Sequence, residues 1–349
     1  MDSESPIAFA PDQRTECHMA NIETRYLGLH LKNPLIASSG PLTRQPGSVA
    51  MLEDAGIAAV VLRSIFEEQI TAETSSMYAA LENETSAFAL EYLRADLPGQ
   101  LGPEEYLRRL DAIRKRVKIP VIASCNCLSK AKWIAYARKI AQTGADALEL
   151  NLYHMPVDPE ETSEQIEARN VDLVRAVINE VKIPIAVKLS YHYTALPAYV
   201  RKLDRAGVKG VVLFNRFLQT DVDINRERIF YAPNYSSPNV LHSQLRWAAV
   251  LRNFIHADIG ISGGIHSGDD LVKALLVGAN VGMICSVLHL HPDASRTINQ
   301  ILTRLQEWMV DKGYADLDAF RGKLRETNLH DGRGFERAQY VKAATELFT

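Results

Sequence analysis

The sequence predicts an α/β fold, a closed (β/α)8 TIM barrel, and three observations carry that prediction. Eight apolar runs of strand length recur along the chain, most are separated by stretches with the apolar spacing of helices, and almost all end in small or polar residues. The alternative is an open, doubly wound sheet. The strand count and the absence of a Gly-x-Gly-x-x-Gly turn after the first run favour closure.

Taken in order, Met1 to Ala20 carries Asp2, Glu4, Asp12 and Glu16 around one brief apolar patch, Ile7 to Ala10, which suits neither a signal peptide nor a membrane anchor. Residues 1–21 are expected to form a flexible leader, 22–324 the barrel, and 325–349 a tail with an amphipathic helix over Phe335–Phe348. Thr24–Leu31 alternates as a short hairpin, punctuated by Asn33-Pro34. Strand one is Leu35–Gly40, a helix over Pro46–Ala55 stops at Gly56, and strand two is Ala58–Ser64. Phe66–Gln100 breaks the rhythm: polar and long for a connection, it reads as an excursion that covers the barrel mouth. Helix Pro103–Val117, strand Pro120–Ser124, helix Lys130–Gln142 and strand Ala147–Leu152 restore the alternation. A loop with two prolines, His154–Ser163, precedes a helix reaching Val181; strands five and six are Pro184–Leu189 and Gly210–Asn215. The last pair, Gly260–Ile265 and Gly282–Val287, flanks a helical stretch over Asp269–Val277 closed by Gly278.

Bulk properties narrow the function classes. A chain of 349 residues, 47% hydrophobic and 23% charged, can bury a large core. Its formal charge of -3 gives no electrostatic reason to expect nucleic acid or an anionic membrane as partner. The four cysteines, Cys17, Cys125, Cys127 and Cys285, contain no Cys-x-x-Cys pair, and no His stands at metal-ligand spacing from them. We therefore expect no disulfide, no metal and a reducing, cytoplasmic setting.

In a barrel of this kind chemistry sits at the C-terminal strand ends. Here those ends offer Ser38, Ser39 and Gly40; Arg63 and Ser64; Ser124 and Asn126; Asn151 and His154; Lys188; Asn215; Gly263 and Gly264; Cys285 and Ser286. Gly263-Gly264 leaves backbone N–H groups open beside a helix start and, with Cys285-Ser286, reads as a phosphate cradle; a tight strand-to-helix turn is the plain alternative. Lys188, between Val187 and Leu189, would be a buried ammonium, which needs an anionic or strongly polar partner. A ligand, or a core carboxylate such as Glu149, would supply it.

Several segments in order resemble one family. Leu27-Gly-Leu-His-Leu-Lys-Asn-Pro-Leu35, Ser38-Ser39-Gly40, Glu149-Leu-Asn-Leu152, Val187-Lys-Leu189, Gly263-Gly-Ile265 with Gly268, and the closing Lys312-Gly-Tyr314 and Phe320-Arg-Gly-Lys-Leu324 are similar to the class 1 dihydroorotate dehydrogenases, flavoprotein barrels of pyrimidine biosynthesis, and to their diverged branch. The resemblance spans Ile22 to Leu324 and implies FMN. Gly263, Gly264, Cys285 and Ser286 would hold its phosphate, Ser39, Gly40 and Ser64 would line its ring, and Asn151 and Asn215 would reach ring and substrate. Lys188 would stabilise the negative charge of the reduced ring. In the family a cysteine base in an Asn-Leu-Ser-Cys-Pro-Asn run takes a proton from dihydroorotate while hydride passes to the flavin. In this chain the run is Asn151-Leu-Tyr-His-Met-Pro156, so His154 takes the cysteine's place and Pro156 that of the second asparagine. Arg63 stands where the family has a lysine on strand two, and the family's Asn-Ser-x-Gly-Leu loop has no match, Tyr92–Pro98 being the nearest stretch.

The resemblance leaves two readings open. One is an FMN oxidoreductase acting on a small dihydroorotate-like substrate, with His154 and Lys188 catalytic, Arg63 or Arg94 on the substrate carboxylate, and Asn151 and Asn215 also binding substrate. The other is a flavin-binding, catalytically silent or electron-relaying component of a larger redox complex, served by an iron–sulfur or ferredoxin-linked partner. A weaker third is a lyase with Lys188 as Schiff-base amine. Relatives imply a homodimer.

Overall fold

The structure is a computed structural model that describes residues 20–67, 103–126, 129–153, 156–215, 220–231, 235–325 and the tail positions 337, 340–342 and 345. The expected leader up to Met19, nearly all of the Phe66–Gln100 excursion, His154 and most of the tail lie outside the described residues.

The chain opens on an antiparallel hairpin, β1 (Thr24–Tyr26) and β2 (Leu29–Leu31). Its turn residues, Leu27 and Gly28, both take positive φ (56° and 79°), which suits a two-residue turn between twisted strands. Leu27 tolerates this because its N–H donates to Asp258 Oδ2 at 2.7 Å and its side chain is buried. Then follow β3 (Leu35–Ala37), β4 (Ala59–Val61), β5 (Ile65–Phe66), β6 (Val121–Asn126), β7 (Ala147–Asn151), β8 (Ile185–Leu189) and β9 (Gly210–Leu213). A second hairpin, β10 (Thr220–Asp223) with β11 (Arg228–Tyr231), precedes β12 (Asp258–Ser262) and β13 (Val281–Ile284). Parallel pairing runs β3, β4, β6, β7, β8, β9, β12, β13, and β13 returns to β3 through Gly282↔Leu35, Met283↔Ile36 and Ile284↔Ala37. The sheet is therefore closed, and the open alternative is excluded. β5 extends the path of β4 and pairs with β6, so Phe66, read as the start of the excursion, still belongs to the barrel.

The connecting helices are α1 (Pro46–Asp54), α2 (Pro103–Arg116), α3 (Lys130–Gln142), α4 (Ser163–Glu180), α5 (Leu196–Ala206), α6 (Leu241–Leu251), α7 (Gly268–Leu276), the short α8 (Ser286–Leu290) and α9 (Ala294–Lys312). Their ends are written in the sequence. Glu104 and Glu105 open α2 and Arg114, Lys115 and Arg116 close it, each complementing the helix dipole. Thr162 caps α4 in a box with Gln165, and Gly207 ends α5 in the left-handed region. No helix among the described residues is long and apolar enough to cross a membrane.

Strand alternation divides the apolar side chains into two layers. Leu148, Leu150, Val187 and Leu189 face the helices, whereas Ile36, Val61, Ile122, Ala147, Ala186, Val212 and Met283 fill the barrel with Tyr26, Leu27 and Leu31 of the first hairpin. That hairpin is the barrel's floor. It fits because β9 opens on glycine: a Cβ at Gly210 would lie 2.4 Å from Leu27 Cδ2. With the floor sealed by apolar groups, the polar inward positions collect at the other end.

Candidate active site

At that C-terminal end lies a cavity of about 440 Å³, lined by Ser38, Ser39, Lys188, Tyr191, Phe214, Asn215, Ser236, Asn239, Val240, Ser243, Gln244, Ser262, Gly263, Cys285 and Ser286. Seven of the residues anticipated from sequence thus line one cavity: Ser38, Ser39, Lys188, Asn215, Gly263, Cys285 and Ser286.

Each gets there by strand geometry. Lys188 is the inward residue near the end of β8 and is 8% exposed, with its neighbour in register being Asn151 on β7. Glu149, two residues earlier on β7, is 1% exposed and shares the interior with it. No ion pair within 4 Å joins them among the described residues, yet Lys188 pulls on the carboxyl from a distance. Burial pushes the Glu149 carboxyl up, and Lys188 and the Ser124 hydroxyl oppose that rise. The ammonium thus lines the cavity without a contact partner among the described residues.

Asn151 does not itself line the cavity, but it holds a residue that does. Its Oδ1 accepts from Asn215 Nδ2 at 2.8 Å, and its carbonyl accepts from Asn126 Nδ2 at 2.8 Å, so three strand ends lock one another. Ser64 is reached through Ser39: the Ser64 N–H donates to Ser39 Oγ at 3.1 Å, and the Ser64 and Ser124 hydroxyls are 2.7 Å apart.

The two glycines of the cradle play different parts. Gly263 (φ 92°) faces the cavity, and a Cβ there would find nothing nearer than Gln244 Nε2 at 3.6 Å. Gly264 (φ 82°) faces the protein: a Cβ would meet the Leu241 backbone nitrogen at 2.5 Å, and its own N–H is already donated to Ser236 Oγ at 3.2 Å. The close approach of α6 to β12 requires glycine there. Gly40 is likewise a contact residue, extended in backbone, where a Cβ would sit 2.5 Å from Cys285 Sγ. Cys285 turns the chain (φ -143°, ψ -64°), so the expected strand Gly282–Val287 ends at Ile284 and Ser286 opens α8. Burial raises the Cys285 thiol, against the lowering effect of Lys188 and Arg63, which keeps it neutral.

Arg63 stands apart from the main cavity. It lines a separate small space of about 20 Å³ with Thr43, Arg44, Tyr106 and Arg109. His154 lies outside the described residues.

Ser236 is a cavity residue that sequence reasoning missed. Its N–H donates to Ser286 Oγ at 2.9 Å, its hydroxyl accepts from Gly264 N–H, and that hydroxyl lies 3.3 Å from His266 Nε2. It ties all three cradle segments together. Burial lowers the His266 imidazole, leaving it neutral at physiological pH. The available signal was Ser236-Ser237-Pro238 ahead of the apolar spacing of α6, a helix-start pattern.

Comparison with known proteins places this geometry in context. The family model described as dihydroorotate dehydrogenase matches residues 21–309. The catalytic subunit of dihydroorotate dehydrogenase B (NAD(+)) of Thermoplasma acidophilum is 25% identical over 312 residues, covering 87% of this chain and 99% of the relative. Dihydroorotate dehydrogenase A (fumarate) of Lactobacillus helveticus is 23% identical over 88% of this chain and 99% of its own length. The chloroplastic dihydropyrimidine dehydrogenase (NADP(+)) of Arabidopsis thaliana is 21% identical over 84% of this chain and 75% of its own.

Proposed function

Because the chain belongs to the dihydroorotate dehydrogenase family, we propose that it is an FMN-dependent oxidoreductase that removes two hydrogens across a CH–CH bond of a dihydroorotate-like ring. The observation that carries this reading is the cavity itself: it brings Lys188, an ammonium without a contact partner among the described residues, to one wall and short hydroxyl groups with Gly263 to another. Those walls suit the two ends of FMN. Gly263, Ser236 and Ser286 would hold the phosphate by N–H and O–H groups, and Lys188 would face the ring edge that becomes negative. A cavity of about 440 Å³ is within the ordinary range for such a ligand. When bound, FMN supplies the two-electron acceptor.

The chain's own residues then have distinct tasks. Asn215, fixed by Asn151, orients the substrate ring with an amide. His154 is the proposed base that takes the ring proton, in place of the family's cysteine, since a neutral imidazole accepts a proton near pH 7. Arg63 is the proposed cation for a substrate carboxylate, a role its guanidinium fork suits. The name of the Thermoplasma relative, a catalytic subunit, supports an electron-carrying protein as partner.

Anaerobic mixing of the FMN-loaded protein with dihydroorotate tests the reading. Loss of flavin absorbance is expected. A protein that binds FMN but bleaches with neither dihydroorotate nor a dihydropyrimidine would fit the electron-relaying alternative, which the replaced Cys-Pro-Asn run favours. A protein that takes up no FMN would refute both.

A further inference from the structure

Glu149 is a buried carboxyl with no task in the chemistry above. It sits at an inward position of β7, is 1% exposed, and shares its interior layer with apolar side chains. Its carboxylate accepts from Ser124 Oγ at 3.4 Å. That hydroxyl does not end the path: Ser124 Oγ lies 2.7 Å from Ser64 Oγ, which lies 3.5 Å from Ser39 Oγ, and Ser39 lines the cavity. Three hydroxyls, each able to donate and accept, therefore lead from the mouth to the carboxyl. A merely structural role needs one partner for the carboxyl, not a chain that surfaces in the site.

We propose that Glu149 is the proton store of this site, exchanging its proton with the cavity through Ser124, Ser64 and Ser39 and taking one up when negative charge arrives over Lys188. The proposal rests on the FMN reading. The groups facing Glu149 decide that it is the one to change charge. Lys188 on β8 attracts its ionised form; Tyr26 on the floor and Tyr106 on α2, whose hydroxyl donates to the Ser124 carbonyl, are both pushed up by burial and stay neutral. Beyond Lys188 lies Cys285, whose thiol is held neutral by burial; below Tyr26 lies Asp258, bonded to Leu27 and Asn280. Burial favours the acid and Lys188 the carboxylate, so the balance responds to what shares the lysine. In a two-electron reduction, electrons from the reduced pyrimidine, or from dithionite in a titration, enter the ring with one proton. A second proton, drawn from solvent along the hydroxyls, converts the Glu149 carboxylate to the acid.

Potentiometry of the FMN-loaded full chain across the neutral pH range tests this. Each coupled proton shifts a two-electron potential by about 30 mV per pH unit, the value of a tenfold change. The wild type is expected to approach two such steps per pH unit, and Glu149→Gln one. The reduced-minus-oxidised infrared spectrum should gain a carboxylic acid band that Glu149→Gln lacks. Ser64→Ala should keep that band but delay it behind flavin bleaching. Equal pH slopes in wild type and variant, or a wild-type spectrum without the acid band, would overturn the proposal; the second result needs no variant. Failure to bind FMN would instead refute the reading beneath it, so the two failures are distinguishable.

Discussion

The two sides of the barrel mouth are built on different principles. On the β12–β13 side the site consists of backbone and short side chains, Gly263, Gly264, Ser236, Cys285 and Ser286, each held by a neighbouring segment. On the β4–β7 side the proposed reading relies on longer side chains that follow strands in the sequence, Arg63 and His154. The first side tolerates little variation, because its ligands are main-chain atoms fixed by packing. The second can exchange one long side chain for another and so change substrate while keeping the cofactor. On the proposed reading, this difference lets a chain 25% identical to the Thermoplasma relative carry His154 in the place of the family's cysteine.

The sharpest way to break that comparison is at the base. His154→Ala is expected to lower the rate of flavin reduction by about 10²-fold or more, the contribution of a positioned general base, while FMN affinity stays within twofold. Stopped-flow bleaching and a fluorescence titration of FMN measure the two. An unchanged rate would remove the proposed division of labour.

The rigid side is probed next by its paired glycines. Gly264→Ala forces a Cβ against the Leu241 backbone at a positive φ and should cost about 3 kcal/mol of stability, combining strain with overpacking. Gly263→Ala shares the backbone penalty alone, about 1 kcal/mol. Urea unfolding separates them. Gly263→Ala should nevertheless weaken FMN binding more, relative to its stability loss, because only Gly263 faces the cavity.

Lys188→Met should weaken FMN binding by about 2 kcal/mol, roughly thirtyfold, as expected for removing a desolvated charge partner, and should lower the potential of the bound flavin. A variant with wild-type affinity and potential would show that the ammonium serves the barrel's own packing alone.

The barrel was legible because strand and helix periods are local signals. Eight buried runs announce themselves without any knowledge of what they touch, and Lys188 stands out by its apolar flanks. Closure came only from the β13 to β3 pairing, between residues 247 apart in sequence, beyond the reach of local periodicity. Gly264 illustrates what pattern cannot show: beside Gly263 it looks identical, and only the position of Leu241 assigns it to packing. Ser236 was missed because its meaning lies in Ser286, Gly264 and His266, which lie 28 to 50 residues away in the chain. β10 and β11 carry exposed side chains and no amphipathic signal strong enough to announce a hairpin.

Asp270 sharpens the comparison by its smaller effect. Its Oδ2 accepts from the His266 and Ser267 N–H groups at 3.2 and 3.1 Å and from Ser267 Oγ at 2.8 Å, while Lys273 lies 3.0 Å from Oδ1. Burial alone would raise this carboxyl; the bonds from Ser267, Lys273 and the His266 backbone outweigh it and hold the group below the ordinary aspartate range. Since the folded value lies below the unfolded one, the stabilisation is complete above the ordinary aspartate pKa of about 3.9 and is lost as pH falls through the folded value. Asp270→Asn keeps the shape but loses the charge and one acceptor oxygen. It should cost about 1 kcal/mol at pH 7, a difference that disappears in acid when wild type and variant are unfolded in parallel with urea. Because the bonded loop continues directly into Gly263 and Gly264, the same variant should loosen FMN by a few-fold at neutral pH. A stability loss that persists unchanged in acid would mean that Asp270 acts by packing, and that charge has no part in holding the cradle.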